Sequence, residues 1–178
     1  MKLLMVTREV QADQRFGLGK SLLPIISGMS ARGHTVQYLC QTSRSAHSAE
    51  FCRRLHGWLS PMFRWIGGPD SDSDAVLQAL LERVDMGRLA AKVARRDGFS
   101  HVHLHDPWIA LGFMLAQRLS FRPPGAWGVT EHGFGSYARA VHQDGVRQGT
   151  RLASLLRRLE RRITLRAGWV IAPTEAAL

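Results

Sequence analysis

The sequence is short of cysteine, of acidic residues and of long apolar runs. It has two cysteines in 178 residues, Cys40 and Cys52. That is too few for a disulfide framework, and their spacing matches no metal site. Both are expected as buried thiols in a reducing cytoplasm. No apolar run approaches the ~20 residues that a membrane-spanning helix needs. The opening run, Met1 to Val6, carries one lysine and is cut off by Arg8 and Glu9. It is too short for a signal peptide and reads as a first strand. Repeats and low-complexity tracts are missing too, which removes repeat architectures. The acid deficit, 14 Asp and Glu against 24 Lys and Arg, leaves a net charge of +10. Such an excess favours nucleotide phosphates, anionic lipid headgroups or nucleic acid as partners. A plainly solvated surface gives the same count.

What remains is ordinary for a globular domain: 45% hydrophobic and 21% charged residues. The length suffices for one α/β domain with a full core. Short apolar runs alternate with helical patterns. Leu3 to Val6 reads as a strand, residues 18–32 as a helix stopped by Gly33, and Val36 to Cys40 as a second strand. That is a βαβ unit. Residues 48–58 suggest a helix, and Met62 to Ile66 a short strand closed by Gly67, Gly68 and Pro69. Asp70 to Asp74 is a polar turn able to cap the next helix, Ala75 to Arg96, with a break expected near Gly87 and a stop at Gly98. Val102 to Leu104 is a strand, followed by Pro107 in a first helical turn and a helix over 108–119. A turn at Arg122 to Gly125 leads to a strand at Trp127 to Thr130. Residues 149–167 form a helix with Leu152, Leu155, Leu156, Leu159 and Ile163 on one face. Trp169 to Ala172 is a last strand, and Thr174 caps a helix that starts at Glu175. This alternation predicts an α/β, Rossmann-like three-layer domain with a mostly parallel sheet. In such sheets ligands bind outside the carboxyl ends of the strands.

Three strand ends carry candidate residues. After the first comes Phe16-Gly17-Leu18-Gly19-Lys20-Ser21. A glycine pair opening a helix lets a ligand approach the backbone and offers free N–H groups to a phosphate or a polar sugar. A tight turn without a ligand explains the glycines equally. Gly19-Lys20-Ser21 also matches the end of a P-loop, but that motif needs glycine at position 14, which is glutamine, so a nucleoside triphosphatase is not expected. After Val102 to Leu104 come His105 and Asp106, candidates for hydrogen bonds to hydroxyl groups. His101, His103 and His105 share one side of an extended strand, a spacing open to a metal reading but without a converging carboxylate or thiolate shell. After Thr130 come Glu131, His132 and Gly133, with His132 exposed beside glycine and Glu131 an orienting carboxylate or base. A capping role for His132 is the alternative.

In order along the chain, these pieces resemble the N-terminal, acceptor-side domain of family 4 retaining glycosyltransferases of the GT-B fold. The resemblance rests on the glycine loop after the first strand, on Ser30-Ala31-Arg32-Gly33-His34-Thr35-Val36, on His103-Leu104-His105-Asp106, on Thr130-Glu131-His132-Gly133 and on Leu165 to Glu175. Gly168 departs from the family's usual Asp, with loss of a local turn contact, and Thr174 replaces the common Ser. The resemblance implies retaining transfer of a hexosyl group from a nucleotide-sugar donor to an envelope or lipid-linked acceptor. It implies His132 as the catalytic candidate near the reacting sugar. Gly17, Gly19, Lys20, His105, Asp106, Glu131 and Gly133 become candidates for substrate binding. No metal and no cofactor beyond the donor are expected, because in this fold positive groups and a helix N-terminus stabilise the leaving diphosphate. Family members carry a second Rossmann-like, donor-binding domain with an acidic E-x7-E motif, and no counterpart is found within these residues. The expectation is therefore a domain over 1–178 that is silent or nearly so without a C-terminal GT-B partner, and prone to associate through its interdomain surface. A non-catalytic binding module or a vestigial fragment is the alternative.

The stretch from 147 to 166 holds Arg147, Arg151, Arg157, Arg158, Arg161, Arg162 and Arg166 against one acid, Glu160. With the apolar stripe packed inward, these arginines line the outer face. They suit an anionic membrane surface and a location peripheral to the inner face of the membrane, or simply water. Aromatic residues do not interleave with the basic ones, so no nucleic-acid partner is expected.

Overall fold

The computed structural model describes residues 1–9, 17–68, 72–118, 125–131 and 150–172; of residues 17–19 it describes the backbone alone. Five strands are found among them: β1 (Lys2–Val6), β2 (Thr35–Leu39), β3 (His101–Leu104), β4 (Ala126–Thr130) and β5 (Trp169–Ile171). Five helices connect them: α1 (Gly17–Ala31), α2 (Ala46–Gly67), α3 (Ser73–Asp97), α4 (Pro107–Arg118) and α5 (Arg151–Thr164). All four strand pairings are parallel, in the order β2-β1-β3-β4-β5. The domain is α/β and Rossmann-like, as the alternating pattern predicts, with a sheet order of the flavodoxin type.

The strand sequences explain the layering. Leu4 and Val6 stand in register with Val102 and Leu104, and these with Trp127 and Val129. Leu4, Val6, Val102, Leu104 and Val129 form one buried face against Met86, Ala90, Ala94, Ile109 and Phe113 of α3 and α4. Leu3 and Met5 point the other way and are also buried, so β1 is covered on both faces and reads as a continuous apolar run. His101, His103, Gly128 and Trp169 share that second face, where the Trp169 indole lies over Gly128 so closely that a Cβ there would fall on the ring.

Two expectations are overturned. Met62 to Ile66 is not a strand but the last part of α2, which runs unbroken through Pro61. A five-residue apolar run does not distinguish period 2 from period 3.6. The inward residues Cys52, Leu55, Leu59, Phe63 and Ile66 keep helical spacing and pack on Val76, Leu77 and Leu81 of α3 and Leu152 and Leu156 of α5. That tertiary packing outweighs the backbone hydrogen bond that Pro61 removes. Nor does α3 break at Gly87. Its 25 residues run from the Asp72 cap, whose carboxylate accepts the Ala75 N–H at 3.2 Å, to Gly98 in the left-handed region at φ 67°. Gly87 is there for contact: a Cβ would fall on the backbone of Ile109 and Phe113, and a Cβ on Gly112 would fall on Val84. The two glycines let α3 and α4 cross backbone to backbone.

A helix of 25 residues is about 37 Å long and a five-residue strand about 17 Å, so α3 overhangs the sheet. The half that packs on the sheet carries Met86, Ala90 and Ala94, while Val76, Leu77 and Leu81 belong to the separate cluster with α2, α5 and Trp108. This second core forms a helical wall beyond the carboxyl edge of the strands. Asp85 locks it. Its carboxylate accepts from Arg44 Nε at 2.8 Å, from Ser48 Oγ at 2.6 Å and from Arg88 at 2.9 Å. Burial alone raises the Asp85 carboxyl, but these hydrogen bonds outweigh it and hold it below its ordinary value.

Candidate functional site at the carboxyl edge of the sheet

The strand order reverses direction between β1 and β3, which opens a crevice at their carboxyl ends. Thr7 follows β1, fully buried, and its hydroxyl shares a 2.7 Å hydrogen bond with the Tyr38 hydroxyl. α1 begins at Gly17 with no acid in its first turn, so its leading amides and the exposed Lys20 keep their positive character.

β3 leads directly into His105 and Asp106, both buried. The His105 N–H donates to the Val6 carbonyl at 2.9 Å, continuing the ladder past the strand. One Asp106 oxygen accepts the Trp108 N–H at 2.7 Å and so caps α4; the other accepts from Arg83 Nε at 2.9 Å. In this arrangement the Asp106 carboxylate organises the start of α4 and the α3–α4 contact. The histidines of β3 have separate duties. His101 meets Ser100 Oγ at 3.0 Å and the Trp169 ring, with centroids 6.1 Å apart. His103 Nε2 and Thr130 Oγ1 lie 2.5 Å apart in a hydrogen bond, and the His103 and His105 rings sit 4.1 Å apart. Among the described residues no three His, Cys, Asp or Glu side chains converge as metal ligands would.

β4 delivers Glu131. Its N–H donates to the Ile171 carbonyl at 2.9 Å, and the residue is 8% exposed. Burial first, then the carboxylates of Glu160 and Asp106, push its carboxyl up to about 7. A carboxyl titrating there can hold or release a proton at neutral pH, which suits an acid, a base or a switchable hydrogen bond to a hydroxyl. His132 and Gly133 lie outside the described residues.

The structure thus brings His105, Asp106 and Glu131 to one edge, while Lys20 stands exposed in the first turn of α1. Arg83 and Glu160 join this edge without having been singled out in the sequence. Arg83 carried no signal, as one arginine among many. Glu160 did carry one: it lies four residues after Leu156 and three before Ile163, on the apolar stripe of α5, and is 3% exposed. Arg151, Arg157, Arg158, Arg161, Arg162 and Arg166 are all exposed, on the outer face as expected. Arg147 lies outside the described residues. Gly168, where a turn contact was expected to be lost, donates its N–H to the Trp127 carbonyl at 2.9 Å.

No curated protein and no solved structure gives a significant match to the chain. Residues 16–178, by contrast, match the family described as glycosyl transferase 4-like domain. That span takes in the first helix, the end of β3 with His105 and Asp106, and the buried carboxyl of Glu131 after β4. The chain belongs to the glycosyl transferase 4-like family.

Proposed function

We propose that this domain holds the acceptor side of a retaining hexosyl transfer from a nucleotide-sugar donor to an envelope or lipid-linked acceptor. The observation that carries the reading is Glu131, a carboxyl held near neutrality at the carboxyl end of β4 and followed directly in the chain by His132. An acceptor hydroxyl at this edge meets a group able to orient it and to take its proton. The amino end of α1, with Gly17, Gly19 and Lys20, supplies positive potential for a donor phosphate or an acceptor hydroxyl. The outer arginines of α5 suit an acceptor carried on an anionic membrane surface. In this reading the donor is held by a second, C-terminal GT-B domain, and the protein works peripherally on the cytoplasmic face.

The test is sugar-nucleotide hydrolysis and transfer by the chain alone and with a donor-binding domain of a related enzyme added. Transfer that appears with the added domain and is lost on His132→Ala is expected. No transfer in either case, with the chain shown to be folded, refutes the reading in favour of a non-catalytic binding module.

A further inference from the structure

Helix α2 carries apolar side chains on its buried face and on a strip about a quarter-turn further round, and the fold covers only the first. Its inner face packs in the second core. On the adjoining strip Phe51, Trp58, Met62 and Trp65 are 53%, 79%, 46% and 77% exposed. Their spacing of seven, four and three residues places them on one strip along the helix. The strip is about 21 Å long. Single exposed apolar residues are common, but two nearly bare indoles in line with Phe and Met form a patch that water disfavours.

The charges around the strip are cationic. Arg54 borders it, four residues before Trp58, with its side chain 80% exposed and paired with Glu50; Arg53 and Arg64, 71% and 67% exposed, lie further round the helix and pair with Glu50 and Asp74. The Arg88 guanidinium stands 5.9 Å from the Phe51 ring. Glu50 is the one acid within α2. The neighbouring helix α5, which shares the second core with α2, adds Arg157, Arg158, Arg161 and Arg162 on its exposed side. Indoles with an apolar body and a polar N–H, bordered by the guanidinium groups of Arg54 and Arg88, match the headgroup boundary of an anionic bilayer. A docking protein of basic surface would be repelled by the same charges.

We propose that the outer strip of α2 inserts into the interface of an anionic membrane, with Trp58 and Trp65 as its anchors. The proposal rests on the anionic-surface reading of α5 for charge attraction, and it adds an inserted element that α5 does not supply. Insertion along α2 presents the overhanging wall of the crevice to the bilayer, the position from which a lipid-linked acceptor can be reached.

The experiment uses the full chain with vesicles of phosphatidylcholine containing phosphatidylglycerol, and with pure phosphatidylcholine vesicles. Expected are co-sedimentation with the anionic vesicles, weakening with salt, a blue shift of tryptophan emission and quenching by brominated acyl chains. Trp58→Ser with Trp65→Ser is expected to lower the partition coefficient at least tenfold and to remove most of the quenching. Both indoles are exposed, so the circular dichroism spectrum and melting temperature should stay unchanged. Anionic binding with no quenching and no loss in the double variant leaves the α5 reading standing and overturns insertion. Absence of binding to either vesicle overturns both readings. Equal binding to neutral vesicles refutes the charge argument. Self-association in sedimentation that the double variant abolishes, without vesicle binding, assigns the strip to a second copy and overturns the proposal.

Discussion

Glu131→Gln isolates the strained electrostatics of the crevice. In the unfolded chain this carboxyl titrates at its ordinary 4.5, and in the fold at about 7, because burial and the neighbouring carboxylates of Glu160 and Asp106 disfavour its charged form. Between these values the folded state binds more protons than the unfolded state. Stability must therefore fall as pH rises through this window and level off above it. The full loss is about 3 kcal/mol, of which about 2.5 kcal/mol falls between pH 5 and pH 8. A glutamine of nearly the same shape has no proton to lose. Urea unfolding of both proteins at pH 5, 6, 7 and 8 should show nearly equal stability at pH 5 and the variant ahead by about 2–3 kcal/mol at pH 8. In thermal scans the gap at pH 8 is roughly 5–10 °C for a domain of this size. Taking the difference between the two proteins cancels the titrating groups that Glu131 does not interact with. Parallel curves across the range would show that Glu131 ionises at an ordinary pH in the fold. The role as a neutral-pH acid or base would then fail with it. If the reading holds, the same substitution should flatten the acidic limb of the transferase pH profile once a donor domain is supplied.

Gly112→Ala should destabilise the domain by about 3 kcal/mol, because its Cβ falls on the Val84 backbone, which cannot move aside as a side chain would. A loss under ~1 kcal/mol in urea unfolding would mean that α3 and α4 are less closely crossed. Asp85→Ala should cost about 3–5 kcal/mol, since it leaves the half-buried Arg44 without its carboxylate. Because hydrogen bonds hold Asp85 below its ordinary value, its contribution is present at neutral pH and is lost as pH falls below about 3.8. Acid unfolding should therefore be less steep in the variant.

The alternation of apolar runs and helical patterns was enough to read the domain class and the positions of all five strands in the described residues. A parallel strand buried on both faces is continuously apolar, and Leu3 to Val6 carry that mark locally, while Val102 to Leu104 and Trp127 to Thr130 show it on one face. The ends of the strands were legible too, which is why His105, Asp106 and Glu131 could be named from position alone. Local pattern could not decide between a strand at Met62 to Ile66 and a longer α2, because five residues fit both periods and only the partners on α3 and α5 choose. It misjudged Gly87, where glycine serves a neighbouring backbone rather than a break. It also left Glu160 as one acid among arginines on a helix read as apolar inside and basic outside. Whether a carboxyl titrates near 4 or near 7 depends on which groups lie within a few ångströms and on how much water reaches them. Those neighbours, Asp106 after β3 and Glu160 on α5, lie far from Glu131 in the chain, so only the folded structure could bring the three together.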